Sequence, residues 1–283
     1  MSNNTVPSNK PVKSTDLHLG EAAPGCKKRD PILVADGVSR TFGGLKAVDV
    51  DHVEIPRGAI TALIGPNGAG KTTLFNLISG FYPPDQGTIR YDGRDTGGRS
   101  NTELVRLGIT RTFQNVELFE SMSALENVMV GQHVRSRCGF WGALWRTPGM
   151  RREERRIHER AMALLEFVGL GAVAHGRSGD LPFGWQRLLE IARALAAEPR
   201  LLLLDEPAAG LNAVETRELA TLLLRIKAEG VTQLLVEHDM SLTMEISDRI
   251  AVLDQGRLIA EGRPREIQSD PAVISAYLGV QTA

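Results

Sequence analysis

Gly65, Pro66, Asn67, Gly68, Ala69, Gly70, Lys71 and Thr72 fit the spacing G-x-x-x-x-G-K-[ST], and Thr73 follows. These residue types at this spacing suit a phosphate. Glycines let successive backbone N–H groups curl around an anion at a place where a Cβ would collide with it. Lys71 would reach the β- and γ-phosphates of a nucleotide, and the Thr72 hydroxyl would hold Mg²⁺. An apolar run precedes the loop, and a helical pattern follows it until Gly80. That helix would aim its positive end at the same phosphate. The octamer by itself also fits an ordinary glycine-rich turn; the strand before it and the helix after it favour the phosphate.

Two further apolar runs end on polar groups. Leu201 to Leu204 leads into Asp205, Glu206 and Pro207, and such continuous hydrophobicity suits a parallel strand buried on both faces. Asp205 is placed to ligate Mg²⁺, and Glu206 to polarise a water for in-line attack on the γ-phosphate. The run from Val231 leads into Glu237, His238 and Asp239. His238 either contacts that γ-phosphate or is a histidine satisfied at a strand end; beside the other two groups the first reading is preferred. Open α/β sheets gather ligands at the carboxyl ends of their strands, which would unite these three sets. Lys71 and Asp205 are 134 residues apart, far beyond a minimal crossover, so a subdomain is inserted between them.

The elements that must position these groups follow from pattern. Ile32 to Ala35 and Lys46 to Ile55 alternate in the period of antiparallel strands, with Phe42 between them. Phe42 has two readings, stacking on an adenine ring or filling the core of a small sheet. Thr88 to Gly93 reads as a strand and a turn, and residues 102–107 as a short helix leading to Gln114. Ser123 and Glu126 form a capping box. Residues 131–179 turn helical and charged, and the mixed signs of Arg151 to Arg160 indicate a solvated helix face. Phe140, Trp141 and Trp145 are either a docking patch or local packing. Leu181 to Leu195 reads as a helix with Pro182 and Gly184 in its first turn, and Glu215 to Glu229 as another. Arg249 to Gly262 reads as a hairpin turning at Asp254, Gln255 and Gly256, followed by two short helices.

Composition bounds the rest. Hydrophobic residues make up 42% and charged residues 24%, as in a soluble globular protein, and a net charge of -1 gives no sign of nucleic-acid binding. Cys26 and Cys138 have no metal-ligand spacing and read as reduced thiols. No stretch is long and apolar enough to span a membrane, so a membrane role must come through a partner. Residues 1–30, with Pro7, Pro11 and Pro24 among polar residues, read as a disordered leader before a domain spanning 31–283.

The order Phe42, Gly65–Thr72, Gln114, Leu181–Trp185, Asp205–Glu206, His238 resembles the nucleotide-binding subunits of ABC transporters. The resemblance implies an α/β P-loop NTPase fold with a mainly parallel core sheet, an antiparallel β subdomain and an α-helical subdomain inserted at about 115–197. It implies ATP and Mg²⁺ as ligands, with Phe42 stacking on adenine, Gln114 reaching the γ-phosphate and Mg²⁺, and Leu181 and Gly184 in the signature motif that completes a partner's ATP site. It also implies hydrolysis by Glu206, His238 and Lys71, transmembrane permease subunits as partners, and a second ATP-binding subunit, different or identical, in a head-to-tail dimer. Location would be the cytoplasmic face of the inner or plasma membrane, peripheral through those partners. A soluble cassette acting on nucleic acid or ribosomes would carry two cassettes or long coiled coils, and neither is present. A regulator that binds nucleotide without hydrolysis is disfavoured by Glu206 and His238.

More narrowly, Phe42 to Ala47, Thr112 to Asn115, Arg187 to Leu195, Val236 to Met240 and Ala276 to Gly279 resemble one ATPase subunit of branched-chain amino acid importers, which also use a periplasmic binding protein. Urea or short-amide importers and the lipopolysaccharide-export ATPase are similar too, so cargo stays open at this point. Leu181-Pro-Phe-Gly-Trp185 departs from the usual LSGGQ. Pro182 removes a hydroxyl and an N–H, which predicts that the ATP site completed by this turn is the weaker of two unequal sites.

Overall fold

The structure, a computed structural model, describes residues 23–112, 117–132 and 148–278. Two sheets meet across a shared core. The smaller is antiparallel, in the order β2-β1-β4-β5, from β1 (Pro31–Phe42), β2 (Leu45–Pro56), β4 (Gln86–Tyr91) and β5 (Arg94–Asp95). Alternation in β1 and β2 puts Leu33, Ala35, Val48 and Val50 on the inner face, as the pattern predicts; β1 runs on beyond the expected Ala35 to Phe42, and a register shift after Asp36 brings Val38 to the same core.

The larger sheet has the order β10-β9-β3-β8-β7-β6. Its members are β3 (Ile60–Ile64), β6 (Ile109–Arg111), β7 (Leu201–Asp205), β8 (Thr232–Val236), β9 (Arg249–Asp254) and β10 (Arg257–Gly262). All neighbours run parallel except β9 and β10, which form the expected hairpin. Gln255 and Gly256 both take positive φ, 46° and 81°, the conformation a tight two-residue hairpin turn demands. Strands β3, β7 and β8 are buried at every position, which explains their largely apolar sequences. One face, with Leu63, Leu203 and Leu234, packs on helix α1 (Lys71–Ile78) and the small sheet; Leu202, Leu204 and Leu235 point to the opposite side.

That opposite side is covered by helices. The inserted subdomain comprises α3 (Ala124–Gln132), α4 (Pro148–Phe167) and α5 (Phe183–Ala196), joined through Val128, Leu165 and Leu189. Its first helix opens on the predicted capping box: Ser123 N–H donates to Glu126 Oε2 at 2.8 Å, and Glu126 N–H to Ser123 Oγ at 3.2 Å. The exposed residues of α4 between 152 and 160 are the solvated charged face. Helices α2 (Asn101–Leu107), α6 (Ala213–Ala228), α7 (Met240–Ile246), α8 (Pro264–Gln268) and α9 (Pro271–Leu278) complete the described chain. No helix among the described residues is long and apolar enough to cross a membrane.

Two expectations need correction. Pro182 does not lie within the first turn of α5; it is the N-cap, with extended backbone, and Leu181, which the following proline keeps out of helical backbone, is extended too, so the helix begins at Phe183. The described part of the expected leader, residues 23–30, is packed onto the body. Lys28 has a fully buried side chain whose Nζ lies 2.5 Å from Glu261 Oε1, and Arg249 Nε reaches the same oxygen at 2.9 Å. The Lys28 N–H donates to Glu54, and Arg249 Nη2 meets the Cys26 thiol at 3.0 Å. Phe140, Trp141, Trp145 and Cys138 lie outside the described residues, as do residues 1–22.

Candidate nucleotide site

The phosphate loop leaves the carboxyl end of β3 and enters α1. Two of its three glycines, Gly65 and Gly70, are demanded by the surroundings. A Cβ on Gly65 would lie 2.0 Å from Leu253 O, and one on Gly70, where φ is 95°, would lie 2.4 Å from Ala47 O. Lys71 is buried, and its Nζ donates to Gly65 O at 2.7 Å and Pro66 O at 3.0 Å. The ammonium is thus folded back over the loop. Burial pushes its pKa down, and the charge of Glu206 partly restores it. Thr72 is exposed and Thr73 half-buried. Gly70 caps α1 in a left-handed conformation without a side-chain hydrogen bond, so no protein side chain competes for the first amides.

Strand register brings the other two groups alongside. Leu63 and Asp205 both pair with Val236, so β3, β8 and β7 end level with one another. The Asp205 carboxylate is buried, and Arg111 Nη2 meets its Oδ2 at 2.8 Å. The same guanidinium donates to Asn76 Oδ1 at 2.6 Å and Ser79 Oγ at 2.8 Å, over the Phe75 ring, so β6, β7 and the end of α1 share one anchor. Glu206 takes φ 47°, unusual for a residue with a side chain, and its Oε1 lies 3.0 Å from His238 Nε2. Beside them, Glu237 is buried, which raises its pKa against the pull of three backbone N–H donors.

Phe42 lies at the β1–β2 tip, 44% exposed, so it is not a core residue of the small sheet. Its ring meets Tyr82 edge-on at 5.6 Å between centroids, and the Arg40 guanidinium lies 5.1 Å from each ring centre. One aromatic surface is thereby held steady and open.

At α5, the N–H groups of Trp185 and Gln186 both donate to Pro182 O, at 2.9 and 3.0 Å. Leu181 is half-buried, and Phe183 and Trp185 are 46% and 40% exposed. Gly184 is buried; a Cβ there would lie 2.6 Å from Glu215 Oε1, whose Oε2 accepts the Asn212 N–H in the capping box of α6. The glycine therefore seats α5 on the start of α6.

A profile described as "ABC transporter" matches residues 48–209, and one described as "Branched-chain amino acid ATP-binding cassette transporter" matches residues 257–283. The chain belongs to the ABC transporter ATP-binding family. The cassette is 48% identical over 250 residues to the high-affinity branched-chain amino acid transport ATP-binding protein BraF of Pseudomonas aeruginosa. It is 45% identical to the corresponding LivG of Escherichia coli; each match covers 88% of this chain and 98% of the relative. A solved ATP-binding cassette of an ABC transporter, in its ADP conformation, superposes with a TM-score of 0.77 at 33% identity, covering 88% of this chain and 99% of that one. The P-loop NTPase fold expected from the motifs is the fold of the cassette.

The fold brings Gly65–Thr73, Asp205, Glu206 and His238 to neighbouring strand ends, whereas Leu181–Trp185 bond to one another and to flanking Ser178 and Gln186. Gln114 lies outside the described residues. Sequence reasoning passed over Arg111, Glu237 and Tyr277. The first two carried a signal, being ionisable residues at the carboxyl ends of buried strands, β6 and β8. Tyr277 carried none: burial raises its hydroxyl pKa while the Gly65 amide, more than two hundred residues earlier, lowers it.

Proposed function

We propose that the cassette is the ATP-hydrolysing subunit of a membrane importer for branched-chain amino acids. The observation that carries the hydrolytic reading is the level ending of β3, β7 and β8, which sets the phosphate loop, Asp205–Glu206 and His238 side by side. The cargo reading draws support from BraF and LivG, whose names state it, and from the match at residues 257–283.

In this reading the backbone N–H groups following Pro66, to Thr73, and the Lys71 ammonium hold the β- and γ-phosphates. Lys71 would exchange its two carbonyl acceptors for phosphate oxygens. The Thr72 hydroxyl and Asp205 carboxylate are hard oxygen donors, a set that fits Mg²⁺, and Gln114 would join them. Bound there, Mg²⁺ would neutralise charge on the transferred phosphoryl group. Glu206 accepts the proton of the attacking water, and His238 holds Glu206 and the γ-phosphate in line. Phe42 stacks on adenine. Leu181 and Gly184 face the ATP of a second ATP-binding subunit, and permease subunits hold the pair at the cytoplasmic face of the membrane, with a periplasmic binding protein supplying cargo.

Hydrolysis measured with and without co-expressed permease and ATPase partners tests this. Activity that rises on assembly and is lost in Glu206→Gln is expected; activity that survives Glu206→Gln would remove Glu206 as the base. Uptake of labelled leucine, isoleucine and valine, run beside urea, tests the cargo.

A further inference from the structure

Glu237 directly follows β8, and its carboxylate turns back between two loops. Oε1 accepts the Ala208 N–H at 2.7 Å. Oε2 accepts the N–H groups of His238 at 2.9 Å and Asp239 at 3.2 Å. The residue is buried, and a buried carboxylate persists where donors satisfy it; here they are backbone amides drawn from both loops.

Those loops carry the groups that meet as a pair. Ala208 lies two residues after Glu206, in a turn closed by the Ala209 N–H donating to Glu206 O at 3.1 Å. His238 supplies the imidazole that faces Glu206 Oε1. Glu206 also sits at φ 47°, a conformation that lasts only where the surroundings enforce it. Two restraints flank it: its own N–H donates to Val236 O at 2.9 Å, and Glu237 grips the chain two residues on.

We infer that Glu237 is a positioning residue for hydrolysis, cross-bracing the loop of Glu206 to the loop of His238 so that the pair stays opposed. This rests on the reading of Glu206 and His238 given above. Glu237 acts through backbone amides, so its removal disturbs the pair and leaves the phosphate loop intact.

Glu237→Gln keeps the shape and one carbonyl oxygen but sets an –NH₂ against an N–H donor of one loop. In the full chain assembled with its partners, kcat for ATP is expected to fall about tenfold or more while KM stays within about threefold. On a His238→Ala background the same substitution is expected to cost nothing further, because the pair it positions is already gone. Hydrogen exchange in peptides covering residues 206–212 and 237–242 is expected to quicken at an unchanged melting temperature. An unchanged kcat, kcat and KM worsening together, a loss that multiplies on the His238→Ala background, or unaltered exchange in those peptides would each overturn the inference. The exchange measurement decides even where turnover is too slow to follow. Glu206→Gln serves as the control: hydrolysis surviving it would sink the catalytic reading and this inference with it. Hydrolysis lost there, with Glu237→Gln silent, would sink the inference alone.

Discussion

The phosphate loop and the signature turn each open a helix, α1 and α5, on opposite plans. Gly70 caps α1 in the left-handed region, and its loop is walled in by the backbone of neighbouring strands. Pro182 caps α5 with extended backbone, and Phe183 and Trp185 project from the first turn. They share one trait. Neither start has a side-chain cap, whereas Ser100, Asn212 and Asp239 cap α2, α6 and α7. A side chain at the cap would occupy the amides that an anion needs. In the proposed reading, one half of a nucleotide site is finished within this chain, and the other half is a surface offered to a second subunit.

The sharpest way to break that comparison is at the finished half. Gly70→Ala forces a Cβ into the Ala47 carbonyl, and nucleotide affinity is expected to drop at least about a hundredfold in a fluorescent-nucleotide titration. A mild effect would mean that the loop tolerates rearrangement and is less rigid than its walls imply. The next test lies at the open half. Gly184→Ala is expected to cost at most about 1 kcal/mol in denaturant unfolding, because the new Cβ meets the movable end of the Glu215 side chain and swings it away from the Asn212 N–H that it caps. On a Glu215→Ala background the same substitution should cost nothing further. A cost that persists there would point to a different origin.

Phe42→Ala comes third. A lost aromatic stack is worth about 0.5–1.5 kcal/mol, so ATP affinity should fall roughly two- to twelvefold, and preference for adenine over guanine should narrow. The smallest change is expected from Pro182→Ser and Trp185→Gln, within about 0.5 kcal/mol of the original stability and without effect on nucleotide binding by the chain alone. In the assembled transporter the same pair should raise ATPase activity if the site this turn completes is the weaker of two. Unchanged kinetics in Pro182→Ser would argue against unequal sites.

The pattern of what the sequence revealed is physical. Strand β7 was visible because burial on both faces leaves an unbroken apolar run, Leu201–Leu204, whereas the three-residue β6 had no pattern long enough to read. The phosphate loop was visible because Gly65 and Gly70 are required by close backbone contacts and Gly68 by its left-handed φ of 79°. Gly184 was read for its place in a motif, yet its visible constraint is the Glu215 carboxylate thirty-one residues on. Glu237 and Arg111 bind groups on separate loops and strands, and such pairings have no local period. Residues 23–30 misled for the opposite reason. Their polar, proline-containing composition suits a solvated tail, but Lys28 finds its carboxylates at Glu54 and Glu261, far along the chain.

That buried ionic contact sets a boundary for anyone who shortens the protein. A chain begun after Lys28 would leave Glu261 and Arg249 beside an opening once filled by an ammonium, and would lose the thiol that touches Arg249. A tag or cleavage site placed ahead of residue 23 leaves the fastening whole. The last residues of the leader act as a plug pushed into the seam between the two sheets, and trimming should stop short of it.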